Sequence, residues 1–186
     1  MIISELVSGF DPEETGETFL DNARLKALAA LEATSLPSMA DDSGLCVEGL
    51  GLEPGVRSAR YAGPGKTDAQ RNEFLLEKMA GLSPEGRRAY FACTVYAVLP
   101  SHLADAKAEE VASGYRGVWF EGRVHGRIGF SPRGEKGFGY DPIFIPDADP
   151  SRTLAQFDMA EKNRMSHRGQ ALAAFAASVK AAQQRA

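Results

Sequence analysis

Ser38-Met39-Ala40-Asp41-Asp42-Ser43-Gly44-Leu45-Cys46-Val47 places two adjacent carboxylates and a hydroxyl inside an otherwise apolar, strand-like run. Ala40 and Leu45 to Val47 read as buried strand, with Gly44 supplying a sharp bend. Successive side chains of an extended segment face opposite ways, so one of Asp41 and Asp42 can face a site while the other braces the backbone. A carboxylate beside a turn at a strand's end suits magnesium. That hard ion takes oxygen ligands and keeps several waters, one of which a second carboxylate can deprotonate. A turn held by Asx-type bonds accounts for the same residues, and this segment alone leaves both readings open.

Upstream, Asp11-Pro12-Glu13-Glu14-Thr15-Gly16 is a loop of acids and turn formers, after a short, mildly apolar Met1 to Phe10. Phe19, Ala23, Ala27 and Ala30 recur at helical spacing, predicting a helix over Leu20 to Ala33 that Pro37 closes. Glu13 and Glu14 are either solvated acids favoured by that helix's dipole or members of a site.

The chain's 186 residues, 44% hydrophobic and 25% charged, fit one globular domain over residues 1–186 with a core large enough to fold. A formal net charge of -4 argues against a broad nucleic-acid footprint, so any phosphate-bearing partner should be small. No apolar run reaches the roughly 20 residues that span a bilayer, and the opening lacks a signal-peptide pattern, which predicts a cytoplasmic protein without a membrane partner. Cys46 and Cys93 lack metal-ligand spacing and read as buried, reduced thiols.

Downstream, Val56 to Tyr61 carries Arg57 and Arg60 three apart, as on one helical face. Thr67-Asp68-Ala69-Gln70 has the capping-box pattern of a scaffold helix running to about Ala80. Arg88 to Leu99 predicts a central strand, Ser101 to Glu110 a short helix or an excursion, and Val111 to Val124 a half-buried strand. Gly134-Glu135-Lys136-Gly137-Phe138-Gly139-Tyr140-Asp141-Pro142 precedes the strand Ile143-Phe144-Ile145 and lacks Walker spacing. Its glycines let the backbone approach a flat ligand on which Phe138 or Tyr140 could stack, or else it forms a tight hairpin with core aromatics. Asp158-Met159-Ala160-Glu161 reads as another cap, and Ser166-His167-Arg168-Gly169 opens an alanine-rich C-terminal helix. Cations at a helix start oppose its dipole, so Lys162, His167 and Arg168 point to an anionic or hydrogen-bonding ligand.

Taken together, Glu13-Glu14-Thr15-Gly16, Phe19 with Asn22-Ala23 and Lys26-Ala27, and Ala40 to Leu45 resemble the inosine/xanthosine triphosphate pyrophosphatase family. Pro54-Gly55, Ser58-Ala59-Arg60-Tyr61, Gly137 to Pro142 and Ser166-His167-Arg168 extend the resemblance in the same order, from Glu13 to about Ala174. It implies an α/β fold, a long twisted mixed β-sheet flanked by helices, with two lobes and a cleft between them. It implies a magnesium-dependent homodimer that cleaves deaminated purine nucleoside triphosphates to the monophosphate and pyrophosphate. By the same resemblance Asp42 is general base and metal ligand, Glu14 the other metal ligand, and Ser43 a substrate contact. Phe138, Gly139, Tyr140 and Asp141 then line the base pocket, with Phe138 stacking, while Lys162, His167 and Arg168 complete nucleotide recognition. A related nucleotide pyrophosphatase of similar fold acting on modified pyrimidines is a second alternative, against which the Ser166-His167-Arg168 block argues.

Family members begin with a strand and a Ser/Thr-x-Asn-x-x-Lys loop that grips the triphosphate. Here the chain starts about a dozen residues before the Glu14 loop. This departure predicts a misplaced start codon or a truncated form, a groove beside Ser38 to Val47, and a poorly soluble, inactive chain, with a nucleotide-binding member without turnover as the alternative. The stretch Leu99 to Gly114 reads as a second departure, a longer connection at the surface.

Overall fold

The protein is described by a computed structural model over residues 2–104 and 108–184. After a 3-10 turn at Ile3–Glu5, helix α1 spans Phe19–Thr34. Thr18 caps it: its hydroxyl accepts from the Asp21 N–H at 3.1 Å, and the Asp21 carboxylate accepts from the Thr18 N–H at 3.0 Å. Ala23, Ala27 and Ala30 form its buried stripe, the small residues read from the spacing. Ser35 ends it in a left-handed conformation, φ 55°.

Among the described residues five strands follow: β1, Ser38–Val47; β2, Arg88–Pro100; β3, Glu109–Ala112; β4, Tyr115–Ile128; and β5, Phe144–Pro146. They form one sheet in the order β1-β2-β4-β3, with β5 on β4, and both β3 and β5 run antiparallel to β4. β1 covers the whole opening stretch and continues through Gly44. The single strand expected over 111–124 is instead two, because Ser113 and Gly114 turn the chain, with Gly114 at φ +80°, where only glycine is unstrained. The expected excursion resolves into a 3-10 turn at Ser101–Leu103 and β3, while its residues 105–107 lie outside the described ones.

Helices α2 (Asp68–Lys78), α3 (Met159–Arg164) and α4 (His167–Gln183) complete the α/β fold. The capping boxes read at Thr67/Gln70 and Asp158/Glu161 both form. Among the described residues no helix is long and apolar enough to cross a membrane.

The chain divides into two compact units, and β1, β2 and β4 contribute residues to both. Unit 1 comprises Met1–Asp42, Cys93–Gly122 and Gln170–Ala186; its core joins Ala23 and Ala27 to Tyr96 and Val98, with Cys93, Val95 and Ala171 in a second cluster. A groove of about 350 Å³ lies beside the start of β1, between Leu36, Ser38, Met39, Val98, Leu99 and Phe175. Unit 2 comprises Ser43–Ala92 and Arg123–Gly169, built on Leu45, Val47, Leu75, Met79, Ile143 and Phe144. Cys46 and Cys93 are buried and not disulfide-bonded.

Candidate active site

In unit 1, α1 carries Asn22 and Lys26 one turn apart, so both face the same side. The Lys26 ammonium donates to Glu14 Oε1 at 2.6 Å and lies 3.5 Å from Asp42 Oδ1. Those two carboxylate oxygens are therefore no farther than about 6.1 Å apart, the sum of the two distances. Asn22, fully buried, donates to Asp42 Oδ2 at 3.1 Å and accepts from the Gly16 N–H at 2.8 Å, tying the acidic loop to β1. Alternation along β1 turns Asp41 the other way, where its Oδ2 accepts from the Cys93 thiol at 3.5 Å. One carboxylate meets the α1 cluster and its neighbour braces β2.

Among the described residues no three His, Cys, Asp or Glu side chains gather as a metal cluster. Two carboxylates around a cationic centre are nonetheless the donor set that magnesium uses when substrate phosphates and waters supply its remaining ligands. Glu14 and Asp42 fit that ion in the chemistry of their donors, hard oxygens only, no farther than about 6.1 Å apart across Lys26.

In unit 2 a cavity of about 420 Å³ gathers Ser43, Phe138, Gly139, Tyr140 and Asp141 with Lys162, His167 and Arg168. Asp141 organises the glycine-rich loop. Its Oδ2 accepts from the Phe138 N–H at 2.9 Å and from the Lys162 ammonium at 2.5 Å. Lys162 also stands 5.2 Å from the centroid of the Phe138 ring, a cation over a π face. His167, first residue of α4, stacks on Phe91 at 5.3 Å with the rings 13° from parallel. Phe138 is 75% exposed, whereas Tyr140 is buried and its hydroxyl donates to the Ser58 carbonyl at 2.9 Å. Burial pushes the Tyr140 phenol up to about 12, so it stays protonated as a donor at neutral pH. Of the two aromatics read as stacking candidates, only Phe138 presents an open ring.

Spacing alone gives Lys26 and Asn22 no role and α2 only that of scaffold. Asp68 and Arg71 of α2 in fact line the cavity wall. Asp68 Oδ2 accepts from the Gly139 N–H at 2.6 Å, and its Oδ1 pairs with the Arg71 guanidinium. The Gly139 bond, opposed by burial and aided by Arg71, holds the Asp68 carboxyl below its ordinary 3.8. The capping pattern at Thr67 announced a helix start. No local signal pairs Asp68 with a loop 71 residues away.

Three comparisons bear on this arrangement. The Ham1 family model matches residues 2–178. The chain is similar to the dITP/XTP pyrophosphatase of Thermus thermophilus, 48% identical over 165 residues that cover 88% of this chain and 72% of the relative. It is likewise 48% identical over 176 residues to the dITP/XTP pyrophosphatase of Chromobacterium violaceum, covering 92% of this chain and 82% of that one. Among solved structures, the Staphylococcus aureus Ham1 protein superposes with a TM-score of 0.82 at 41% identity, over 96% of this chain and 85% of its own.

Proposed function

Because the chain belongs to the Ham1 family, we propose that it hydrolyses deaminated purine nucleoside triphosphates, dITP, ITP and XTP, to the monophosphate and pyrophosphate. The observation that carries this reading is the 48% identity to curated dITP/XTP pyrophosphatases across 88% of the chain. The geometry supports it from both units. A cavity with an open aromatic ring, a carboxylate, an ammonium, an imidazole and a guanidinium suits a flat base bearing polar edges. A 6-oxo edge meets donors there, where an adenine amino group would leave them unpaired.

Asp42 is read as the general base: its carboxylate takes the proton of the attacking water, with Asn22 and Lys26 fixing its orientation. Lys26, between two like charges, offsets their mutual repulsion. Glu14 and Asp42 would hold magnesium. That ion, when bound, offsets triphosphate charge and acidifies a ligated water. Phe138 stacks on the base. Asp141, Lys162, His167 and Arg168 set the hydrogen bonds around it, and Ser43, the residue after Asp42, contacts substrate. The proposal extends to a homodimer, as the family resemblance implies, and to the cytoplasm, as the sequence predicts.

The test is direct: incubate the purified chain with dITP, XTP and dATP in magnesium, and follow monophosphate and pyrophosphate by chromatography. The expected result, against the inactive chain that the sequence's opening predicts, is equimolar release of both from dITP and XTP, with little from dATP; binding without release would mark a member without turnover. Release of inorganic phosphate and a nucleoside diphosphate would assign a different bond.

A further inference from the structure

We propose that Asp68 and Asn72 of α2 are positioning residues for Phe138, setting how tightly the cavity holds a purine; this rests on the reading of that cavity given above. Phe138 is 75% exposed, so apart from the Lys162 ammonium 5.2 Å from its ring centroid little packing orients it. Where its side chain leaves the chain is set by its own backbone. The peptide before it is pinned by Asp141, whose Oδ2 accepts from the Phe138 N–H at 2.9 Å. The peptide after it is pinned by Asp68, whose Oδ2 accepts from the Gly139 N–H at 2.6 Å. The next carbonyl, that of Gly139, accepts from Asn72 Nδ2 at 3.1 Å. Each peptide plane flanking Phe138 is thus held by a carboxylate, which fixes both soft backbone dihedrals of that residue. An amide holds the plane beyond.

The two α2 side chains lie one turn apart on a helix whose start is locked by the Thr67/Gln70 box, so they act as a rigid pair. Arg71 braces the second Asp68 oxygen. Asn72 supplies an independent observation: it is 3% exposed, and among the described residues its Oδ1 has no hydrogen-bond partner. A buried acceptor left unpaired is unfavourable, and a leucine of similar size would avoid it. Stability alone does not place an amide there; its bond to the Gly139 carbonyl does. Gly139 itself sits at φ +60°, a backbone that a clamp from both sides keeps in place.

The test compares Asp68→Ala, Asp68→Asn and Asn72→Ala, each alone and combined with Phe138→Ala, in the full chain. Three quantities are read: KM and kcat for dITP, affinity for inosine monophosphate by calorimetry, and hydrogen exchange of the Gly139 amide without ligand. Removing a charge-assisted bond should raise KM about tenfold in Asp68→Ala with kcat within about twofold. Asp68→Asn, still an acceptor for the Gly139 N–H, should recover most of the loss. In the Phe138→Ala background the same change should alter KM less than about twofold, because the positioned ring is gone. Should Asp68→Ala fail to fold, Asn72→Ala carries the same comparison. An unchanged KM, or a rise fully retained without Phe138, overturns the proposal. A wild-type chain that neither binds nor cleaves nucleotide overturns the reading of the cavity instead, while Gly139 exchange still reports the clamp.

Discussion

Asn22 donates its side-chain amide to Asp42 Oδ2 at 3.1 Å from a fully buried position on α1. The same side chain accepts the Gly16 N–H at 2.8 Å, so one residue joins the acidic loop, the helix and the strand that carries the proposed base. Asn22→Ala should leave both partners short of a bond and cost about 1–3 kcal/mol. A urea midpoint shift of matching size, together with a fall in dITP turnover, is the expected outcome. Loss of stability with unchanged turnover would confine Asn22 to the fold.

Asp42→Asn keeps an oxygen and a similar shape while removing the group that accepts a proton. Turnover of dITP should fall by about 10²- to 10⁴-fold, with affinity for inosine monophosphate changed by less than threefold, about 0.7 kcal/mol. Initial-rate pyrophosphate release and calorimetry make the measurement. Weak binding with normal turnover would contradict the assigned role.

Much of this frame is legible in the residues themselves. β1 begins and ends at Ser38 and Val47, where the apolar run does, and the boxes at Thr67 and Asp158 close as their spacing demands. Local hydrogen bonds and periodicity are encoded within a few residues, so they survive being read in isolation. The β3–β4 hairpin was missed because Val111 to Val124 continues its alternation across Ser113 and Gly114, and one turn dipeptide is a weak break in a strong pattern. The cluster of Lys26 with Glu14 and Asp42, and the Asp68 clamp on Gly139, join residues distant in the chain. A capping acid looks the same in sequence whether its carboxylate meets water or a loop.

Gly137 and Gly139 both lie at positive φ, at +80° and +60°, but their surroundings differ. A Cβ at Gly137 would collide with Asp141 Oδ2 and come within 2.9 Å of Lys162 Nζ, whereas at Gly139 it would meet open space. Alanine should cost each site about 1–2 kcal/mol of backbone strain. Only Gly137→Ala should also break the Asp141–Lys162 pair, raising KM for dITP well above the Gly139→Ala value. A lower melting temperature together with a higher KM in Gly137→Ala than in Gly139→Ala is the expected pattern; equal KM values would detach the pair from nucleotide binding.

Arg168 lines the cavity and, on the proposed reading, donates to the 6-oxo edge of the base. Arg168→Ala should then narrow the preference for inosine over adenosine triphosphate, because one partner of that oxygen is gone. The ratio of kcat/KM values for the two substrates is the quantity to measure. An unchanged ratio with a uniformly raised KM would reassign Arg168 to the phosphates.

The Asp68 carboxyl gives the clamp a pH signature whose sign is fixed. The Gly139 N–H donates to it, so the folded state favours the ionised form and the group titrates below its ordinary 3.8. A carboxyl with a depressed folded value stabilises the protein at pH above the unfolded value. That stabilisation is lost as pH falls through the folded value, because the unfolded chain takes up the proton first. The stability of wild type relative to Asp68→Asn should therefore be flat from neutral pH down to about 4 and shrink toward zero below it. Denaturation of both proteins at a series of pH values isolates this one group, since every other carboxyl is common to the pair. Hydrogen exchange at the Gly139 amide, corrected for intrinsic rate, should lose protection over the same acidic interval in wild type. A wild-type advantage that grows on acidification would mean that Asp68 is held in its protonated form, and the N–H of Gly139 would then need another acceptor.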